Sequence, residues 1–314
     1  MRLESVLVTG AAGDIGRGMS QILKDIHFID KVVGIDINDQ FPAHLFYDNF
    51  MKCPKVNSGN YLDIIDIIVK KYNIQLIIPT SEPEIRFFNK NKISEISDVK
   101  ILMPSFNIMD LGFDKYETSK FLQKNGLPFP WTYEVANSQP AEFPCIIKSK
   151  DGSGSKAVSI VTEENYLEVK KGKENWIYQE LLLPNDEEYT CGIFKSKNSE
   201  HLKTIIFKRT LSGGRTGYAE VVENTNISNF LNKVCKYVKF SGSINIQLRL
   251  TTKGPMIFEI NPRFSSTLTF RHQLGFKDVE WSILDQLGEL NQIEFDNKSI
   301  IGKKIFRADN EIIY

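Results

Sequence analysis

The chain is poor in the residues that carry nucleophilic and transition-metal chemistry. It has only four cysteines, Cys53, Cys145, Cys191 and Cys235, far apart and without a C-x-x-C spacing. That argues against a zinc ribbon or a disulfide framework, and the expectation is reduced thiols in a cytoplasmic protein. The four histidines are equally scattered, so a His-centred metal site or catalytic triad has no support. Neither sign of charge is in excess, 39 Lys and Arg balancing 39 Asp and Glu. A broad electrostatic footprint for nucleic acid is therefore not expected. No apolar run reaches the length of a membrane span. The first one stops at Thr9-Gly10 and follows Glu4, a poor fit to a secretory signal. What is present is an ordinary globular composition, 41% hydrophobic and 25% charged over 314 residues, enough for one large domain or two to three small ones.

The first third alternates strands and helices. Val6-Leu7-Val8 reads as a buried strand running into Thr9-Gly10-Ala11-Ala12-Gly13-Asp14-Ile15-Gly16 and then a helical pattern to Lys24. Val32 to Asp36 is a second strand ending in an acid. Leu62 to Tyr72 has helical spacing, Leu76 to Pro79 is a strand, and Thr80-Ser81-Glu82-Pro83-Glu84 opens the next helix. Ile101 to Pro104 is a further strand. This order predicts a mostly parallel α/β layer whose crevice lies at the strand C-terminal ends, near Gly10 to Gly16 and Thr80 to Glu84. The turn with Gly10, Gly13 and Gly16 has a nucleotide-binding form, since glycines permit a tight bend and a helix N-terminus attracts an anion. It resembles the start of NAD(P)-dependent short-chain dehydrogenases and epimerases, and Tyr116-x-x-x-Lys120 matches their catalytic spacing. Against that reading, the pair comes early in the chain and inside a helical segment, and the remaining two thirds lack βαβ alternation.

Beyond Asp110 the pattern changes to antiparallel strands plus helices, an α+β order. Asp114-Lys115 begins a helix that stops at Asn125-Gly126. The strand Phe143 to Lys148 ends in a lysine and precedes Ser149-Lys150-Asp151-Gly152-Ser153-Gly154-Ser155-Lys156-Ala157 and the strand Val158 to Val161. Such a Gly/Ser-rich hairpin beside a strand-borne lysine is either a mobile surface loop or a cover for phosphates. It is not a Walker P-loop. Trp176 to Leu183 is a strand followed by an apolar linker that suits an adenine slot. A carboxylate at Glu188 could accept from ribose hydroxyls. Ile205 to Arg209 is a strand ending in Lys208-Arg209, followed by Thr210 to Gly217, a second flexible loop carrying Arg215. Ser228 to Lys239 is an amphipathic helix.

Residues 243–263 carry the sharpest signal. Two β-rich runs flank Thr251-Thr252-Lys253-Gly254-Pro255, which reads as a hairpin loop. Centred on Lys253, the hairpin pairs Leu250 with Met256 and Gln247 with Glu259. Strand alternation then puts Glu259, Asn261 and Arg263 on one face, with Phe258 and Ile260 in a core. One carboxylate and two amide oxygens form an all-oxygen set suited to Mg²⁺, and Arg263 offers a fork to phosphate or carboxylate. An amphipathic hairpin with an exposed polar face is the plain alternative.

Taken in order, Lys115, Lys148 with its loop, Gln179-Glu180, Glu188-Tyr189, Lys208-Arg209 with Gly213-Gly214-Arg215, Gln247 and Glu259-Ile260-Asn261-Pro262-Arg263 resemble the ATP-grasp superfamily. The flavour is that of the carbamoyl phosphate synthetase large-subunit-like branch. The resemblance covers essentially the whole chain. It implies a Rossmann-like pre-ATP-grasp domain over 1–110 and an ATP-grasp fold over 111–314, with a small lobe at about 128–184 and a central lobe at about 185–314. It further implies that Lys148 and Lys115 contact ATP phosphates under a cover including Ser153 and Gly154. Glu180, Leu181, Leu182 and Leu183 would hold adenine and Glu188 ribose, with Lys208 and Arg209 as further nucleotide contacts. Glu259 and Asn261 would ligate Mg²⁺, or Mn²⁺ in its place, with Gln247 as the additional ligand. Arg263 would stabilise the transferring phosphoryl group, helped by Arg215. Gly10, Gly13 and Gly16 with Ser81 and Glu82 would face the substrate, or the turn would be a structural relic.

The implied activity is ATP-dependent joining of a small-molecule carboxylate to an amine or related nucleophile, with ADP released, without nucleic acid or membrane and compatible with a homodimer. A non-catalytic ATP-binding protein is the third class kept open. Two departures stand out: Gln247 replaces the carboxylate of many relatives, and Phe264-Ser265-Ser266-Thr267 replaces a glycine-containing run where substrate identity is set.

Overall fold

The computed structural model describes residues 2–152 and 158–308. Its first sheet grows from short apolar runs. β1 (Val6–Thr9), β2 (Val32–Asp36), β3 (Asn49–Lys52) and β4 (Leu76–Pro79) lie in the order β3-β2-β1-β4, all parallel. β1 and β4 are buried along their whole length, as strands covered on both faces must be. α1 (Asp14–Asp25) covers one face with Met19, Ile22 and Leu23, and α2 (Tyr61–Tyr72) covers the other with Tyr61, Ile65 and Ile68. α3 (Glu82–Lys90) follows β4, and β5 (Glu95–Ile96) pairs with β6 (Val99–Lys100). The strand expected at Ile101 to Pro104 is reduced to a bridge between Ile101 and Ile77, with Leu102 N–H donating to Ile77 O at 2.7 Å. Pro104 has no N–H with which to extend the ladder.

α4 (Phe106–Gly112) and α5 (Lys115–Lys124) lead into the second half. Asp114 caps α5, its carboxylate accepting from Tyr116 N–H at 2.8 Å and Glu117 N–H at 3.2 Å. A second, antiparallel sheet has the order β7-β10-β8-β9, from β7 (Thr132–Glu134), β8 (Cys145–Ser149), β9 (Val158–Val161) and, after α6 (Tyr166–Val169), β10 (Trp176–Glu180). The third sheet is also antiparallel, in the order β15-β14-β11-β12-β13-β16. Its strands are β11 (Glu188–Lys195), β12 (Leu202–Ser212), β13 (Arg215–Val221), β14 (Gly242–Thr251), β15 (Gly254–Asn261) and β16 (Lys304–Phe306). α7 (Thr225–Tyr237), capped by Asn224, packs Ile227, Phe230 and Leu231 against Ile193, Ile246, Leu248 and Ile260. Strand alternation sends the intervening polar residues to the opposite face.

Thr210 to Gly217, expected as a flexible loop, is the closed end of the β12–β13 hairpin. Ser212 pairs with Arg215 across Gly213 (φ 57°) and Gly214 (φ 79°), the positive φ values that a two-residue hairpin turn of this hand requires. α8 (Leu268–Gln273) and α9 (Asp278–Leu287) then return to the first sheet, where Leu268, Val279 and Ile283 share a core with Val6, Val8, Ile78 and α1. This return holds the N-terminal glycine turn against the polar face of the third sheet.

The glycine turn tests how closely the layers fit. A Cβ on Gly16 would lie 2.4 Å from Gly10 O, whereas one on Gly13 would meet nothing nearer than 3.4 Å. Gly16→Ala should therefore cost roughly 1–3 kcal/mol through overpacking. Gly13→Ala, at a helix N-cap, should cost less than about 1 kcal/mol. Urea unfolding of the two variants checks this, and equal losses would show that close packing is not what the turn's glycines serve.

Candidate active site

A cleft of about 900 Å³ opens between the three sheets. The third sheet supplies its floor, the second sheet one wall and the glycine turn the other. β14 and β15 leave their turn with Leu250 opposite Pro255 and Arg249 opposite Met256, one residue away from the expected Leu250–Met256 pair. A bulge at Gln247/Leu248 then leaves Phe258 without a partner and brings Gln247 opposite Glu259, as expected. The extra residue explains a second difference. Phe258, expected in the core, lines the cleft together with Glu259 and Asn261, while Ile260 stays buried.

The bulge also frees a carbonyl, and Lys148 uses it. Its Nζ donates to Phe258 O at 3.1 Å and lies 5.6 Å from the Phe258 ring centre. Lys148 is only 5% exposed. Burial, reinforced by the neighbouring Lys115 charge and opposed by Glu259, pushes its pKa down to about 7. Lys115 Nζ donates to Gly152 O at 2.5 Å and lies 3.5 Å from Glu259 Oε1. Both lysines, the Ser149–Gly152 turn and the first acid of the floor thus converge.

Next to them runs a row of paired charges. Arg209 donates from Nε and Nη2 to Glu188 Oε1 at 3.0 and 2.8 Å, and Arg249 Nη2 donates to Glu188 Oε2 at 2.6 Å. Both Glu188 oxygens are therefore engaged by guanidinium groups, which leaves the carboxylate less available for ribose than the sequence suggested. Arg249 Nη1 reaches Leu182 O at 2.7 Å and so fixes the linker after β10. Sequence reasoning missed Arg249, although it sits two residues from Gln247 on the same strand face. Asn245, Thr190, Asp14 and Arg307 were missed as well.

Gln247, Glu259 and Asn261 offer one carboxylate and two amide oxygens. No cluster of three or more His, Cys, Asp or Glu side chains suited to a metal occurs among the described residues. A divalent ion here would be held by Glu259 and amide oxygens, completed by phosphate and water, which is a donor set that fits Mg²⁺. Gln247 is the weakest member, because its Oε1 already accepts from Arg209 Nη2 at 2.9 Å.

At the far end Arg263 Nη2 lies 3.3 Å from Glu82 Oε2. Asp14 Oδ1 lies 3.2 Å from both Arg215 Nη1 and Arg307 Nη1. Thr190 and Ser265 hydroxyls donate to Asn245 Oδ1 at 3.0 and 3.2 Å, forming a neutral polar floor beyond Arg263. Gly10, Gly13, Gly16, Ser81, Glu180, Leu181 and Leu182 also line the cleft. Three expected residues do not, the first being Glu82, whose carboxylate is taken up by Arg263 and Arg86. Leu183 is 54% exposed, and Lys208 pairs with Glu187, because strand alternation turns it away from its neighbour Arg209. Ser153 and Gly154 lie outside the described residues. Tyr116 and Lys120 sit on α5 and do not line the cleft, and Lys120 pairs with Glu117 at 2.5 Å instead.

With this geometry in hand, comparison with known proteins is consistent. Residues 113–267 match the ATP-grasp domain family, and residues 10–102 match the PylC-like N-terminal domain family. The chain therefore carries an ATP-grasp domain behind a PylC-like N-terminal domain. It is 23% identical over 256 residues to the tyramine–L-glutamate ligase of Methanocaldococcus jannaschii, covering 79% of this chain and 74% of that one. An uncharacterized protein of Mycoplasma genitalium is 30% identical over 120 residues, a match spanning 36% of this chain and 42% of the other. The fold is shared with the biotin carboxylase domain of Hydrogenobacter thermophilus 2-oxoglutarate carboxylase, solved with MgADP, ADP and bicarbonate. That likeness has a TM-score of 0.72 at 15% identity over 96% of this chain and 73% of that one.

Lys148 makes a pH signature. Its folded pKa of about 7 lies below the roughly 10.4 of a free lysine, so between these values the unfolded chain binds the extra proton. The stability that the wild type gives up to bury this charge is therefore greatest below pH 7 and vanishes as pH rises past 10. Lys148→Met should be more stable than wild type at pH 6.5 to 7, with the gain shrinking toward pH 10. Urea titrations at several pH values check this, and a pH-independent difference would refute the burial argument.

Proposed function

We propose that the protein is an ADP-forming carboxylate–amine ligase that uses ATP with Mg²⁺, Mn²⁺ being able to take the same oxygens. The observation that carries this reading is a single cleft lined together by Lys115, Lys148, Glu259, Asn261 and Arg263. The M. jannaschii relative, a tyramine–L-glutamate ligase, supports the same class. In this reading the linker from Glu180 to Leu182, held by Arg249, takes the adenine. Lys148 leaves the Phe258 carbonyl for a phosphate oxygen, and Lys115 holds the phosphate cover through Gly152. Glu259 and Asn261 hold Mg²⁺, which when bound neutralises phosphate charge.

An oxygen of the substrate carboxylate attacks the γ-phosphorus, the bond from that phosphorus to the β-γ bridging oxygen breaks, and ADP leaves. The acyl phosphate then reacts with the amine. A C–N bond forms, the C–O bond to phosphate breaks, and the amine proton passes to solvent. In this reading Arg263 would stand beside the transferring group and Arg215 on the acceptor side. There is little covalent work for the protein, so positioning and charge dominate, and water must be kept from the acyl phosphate. The neutral floor of Asn245, Thr190 and Ser265 suits an uncharged part of the acceptor. A cytoplasmic setting and a homodimer belong to the same proposal.

The test is an ADP-release screen of carboxylates crossed with amines in the presence of Mg²⁺. A productive pair should yield ADP and phosphate, and AMP with pyrophosphate would overturn the mechanism. Glu259→Ala should lower turnover of that pair by about 10²-fold or more. Wild-type turnover in that variant would show that the floor is not the site.

A further inference from the structure

Between the two ends of the cleft lies one side chain that no motif singles out. Arg86 stands one turn beyond Glu82 on α3, at the edge of the N-terminal layer, and its guanidinium joins three separate segments. Nε and Nη2 donate to Glu82 Oε1 at 2.9 and 2.8 Å. Nη1 and Nη2 reach Phe113 O, both at 3.2 Å. Nη2 also reaches Asp151 O at 2.5 Å, and the guanidinium carbon stands 4.3 Å from the Phe113 ring centre. The first contact leaves Glu82 Oε2 to meet Arg263 at 3.3 Å. The second grips the chain two residues before Lys115. The third grips the turn whose next residue, Gly152, accepts from Lys115 Nζ at 2.5 Å. An Arg fork can hold three oxygens from different segments at once, whereas a lysine ammonium lacks the fixed planar geometry.

We infer that Arg86 is a positioning residue that ties the acceptor-side arginine, Arg263, to the phosphate-side Lys115 and the Ser149–Gly152 turn. This inference rests on the nucleotide reading of the cleft. Arg86 touches neither nucleotide nor acceptor in that reading. It sets where Lys115 and the turn stand, and it shares the Glu82 charge so that Glu82 does not fully neutralise Arg263. Its side chain is 31% exposed, so a small cation can reach the space it would vacate.

The experiment measures binding of MgADP alone to full-length protein by calorimetry. Arg86→Ala should weaken MgADP binding about tenfold, the factor that corresponds to about 1.4 kcal/mol. Added guanidinium chloride at low millimolar concentration should restore much of that loss, and Arg86→Lys should stay weak. Lys92→Ala serves as control, since Lys92 is on the chain just past the same helix, pairs with Asp110 at 3.0 Å and Asn89 Oδ1 at 3.5 Å, and does not line the cleft. It should bind MgADP as the wild type does. Unchanged binding by Arg86→Ala overturns the inference. So does a loss that guanidinium leaves untouched and that comes with a lowered Tm in nucleotide-free protein, because that is general destabilisation. If the wild type itself does not bind MgADP, the nucleotide reading fails and takes this inference with it. Wild-type binding with an unaffected Arg86→Ala sinks the inference alone.

Discussion

The cleft depends on a buried ammonium resting on a carbonyl that a β-bulge has released. Lys148 comes from the second sheet and Phe258 from the third, so their 3.1 Å hydrogen bond sets the spacing of the two sheets where phosphate would enter. A charged group this deep is costly unless it is paired. Here the nearest carboxylate, Glu259, is also faced by Lys115, 3.5 Å away. The site therefore holds more positive charge than its own acid offsets, and burial answers by pushing Lys148 toward neutrality. In the proposed reading an incoming phosphate would supply the missing anion. Stability given up to bury Lys148 would then return as affinity for an anionic ligand, a trade that functional sites often make.

The other cations of the cleft arrive with partners, and the distances sort them. Glu188 is gripped from both sides at 2.6 to 3.0 Å, by Arg249 and Arg209. Such a doubly held carboxylate is a strut, and through Arg249 it fixes the linker carbonyl at Leu182. Arg263–Glu82 at 3.3 Å and Lys115–Glu259 at 3.5 Å are longer single contacts. Charge-assisted hydrogen bonds are shorter than this, so these are the pairs that a phosphoryl group or a divalent ion can displace at least cost. Under the proposed reading, fixed struts would stand at the nucleotide end and exchangeable pairs at the reacting end, a preorganised arrangement.

Much of this was legible because strand and helix periods are short-range properties. The alternation from Val6 to Pro79 and the cap at Asp114 needed no tertiary information. Glu259, Asn261 and Arg263 could be placed on one face by parity alone, and the ATP-grasp resemblance followed from the order of the motifs. What escaped depends on the third dimension. Nothing in the residues around Gln247 or Phe258 marks a bulge, so the register error at Leu250 and the misplacement of Phe258 shared one cause. Lys208 is different, since adjacent residues on a strand face opposite sides and Lys208 with Arg209 could never both line the cleft. The return of α8 and α9 onto the first sheet, which carries Leu268 and Val279 into its core, is a long-range contact with no local signature. For the same reason Arg307 and Asp14 could not be linked in advance.

The glycine turn shows how the same local sequence can serve a different end. A dinucleotide turn works by presenting free backbone N–H groups to a pyrophosphate. Here successive donors are already committed. Ala11 N–H donates to Ile35 O at 3.0 Å, Ala12 N–H to Asp36 Oδ2 at 2.9 Å and Gly13 N–H to Gly10 O at 3.2 Å. Asp36, the strand-end acid that would take a ribose in an oxidoreductase, also accepts Asn38 N–H at 2.9 Å through its other oxygen. Tyr116 and Lys120 lie on α5, outside the cleft altogether. Gly16 pressed on Gly10 O and Gly10 on Ser81 let α1 approach β1 and β4 closely. That compactness makes the turn a wall of the cleft, with Asp14 facing Arg215 and Arg307.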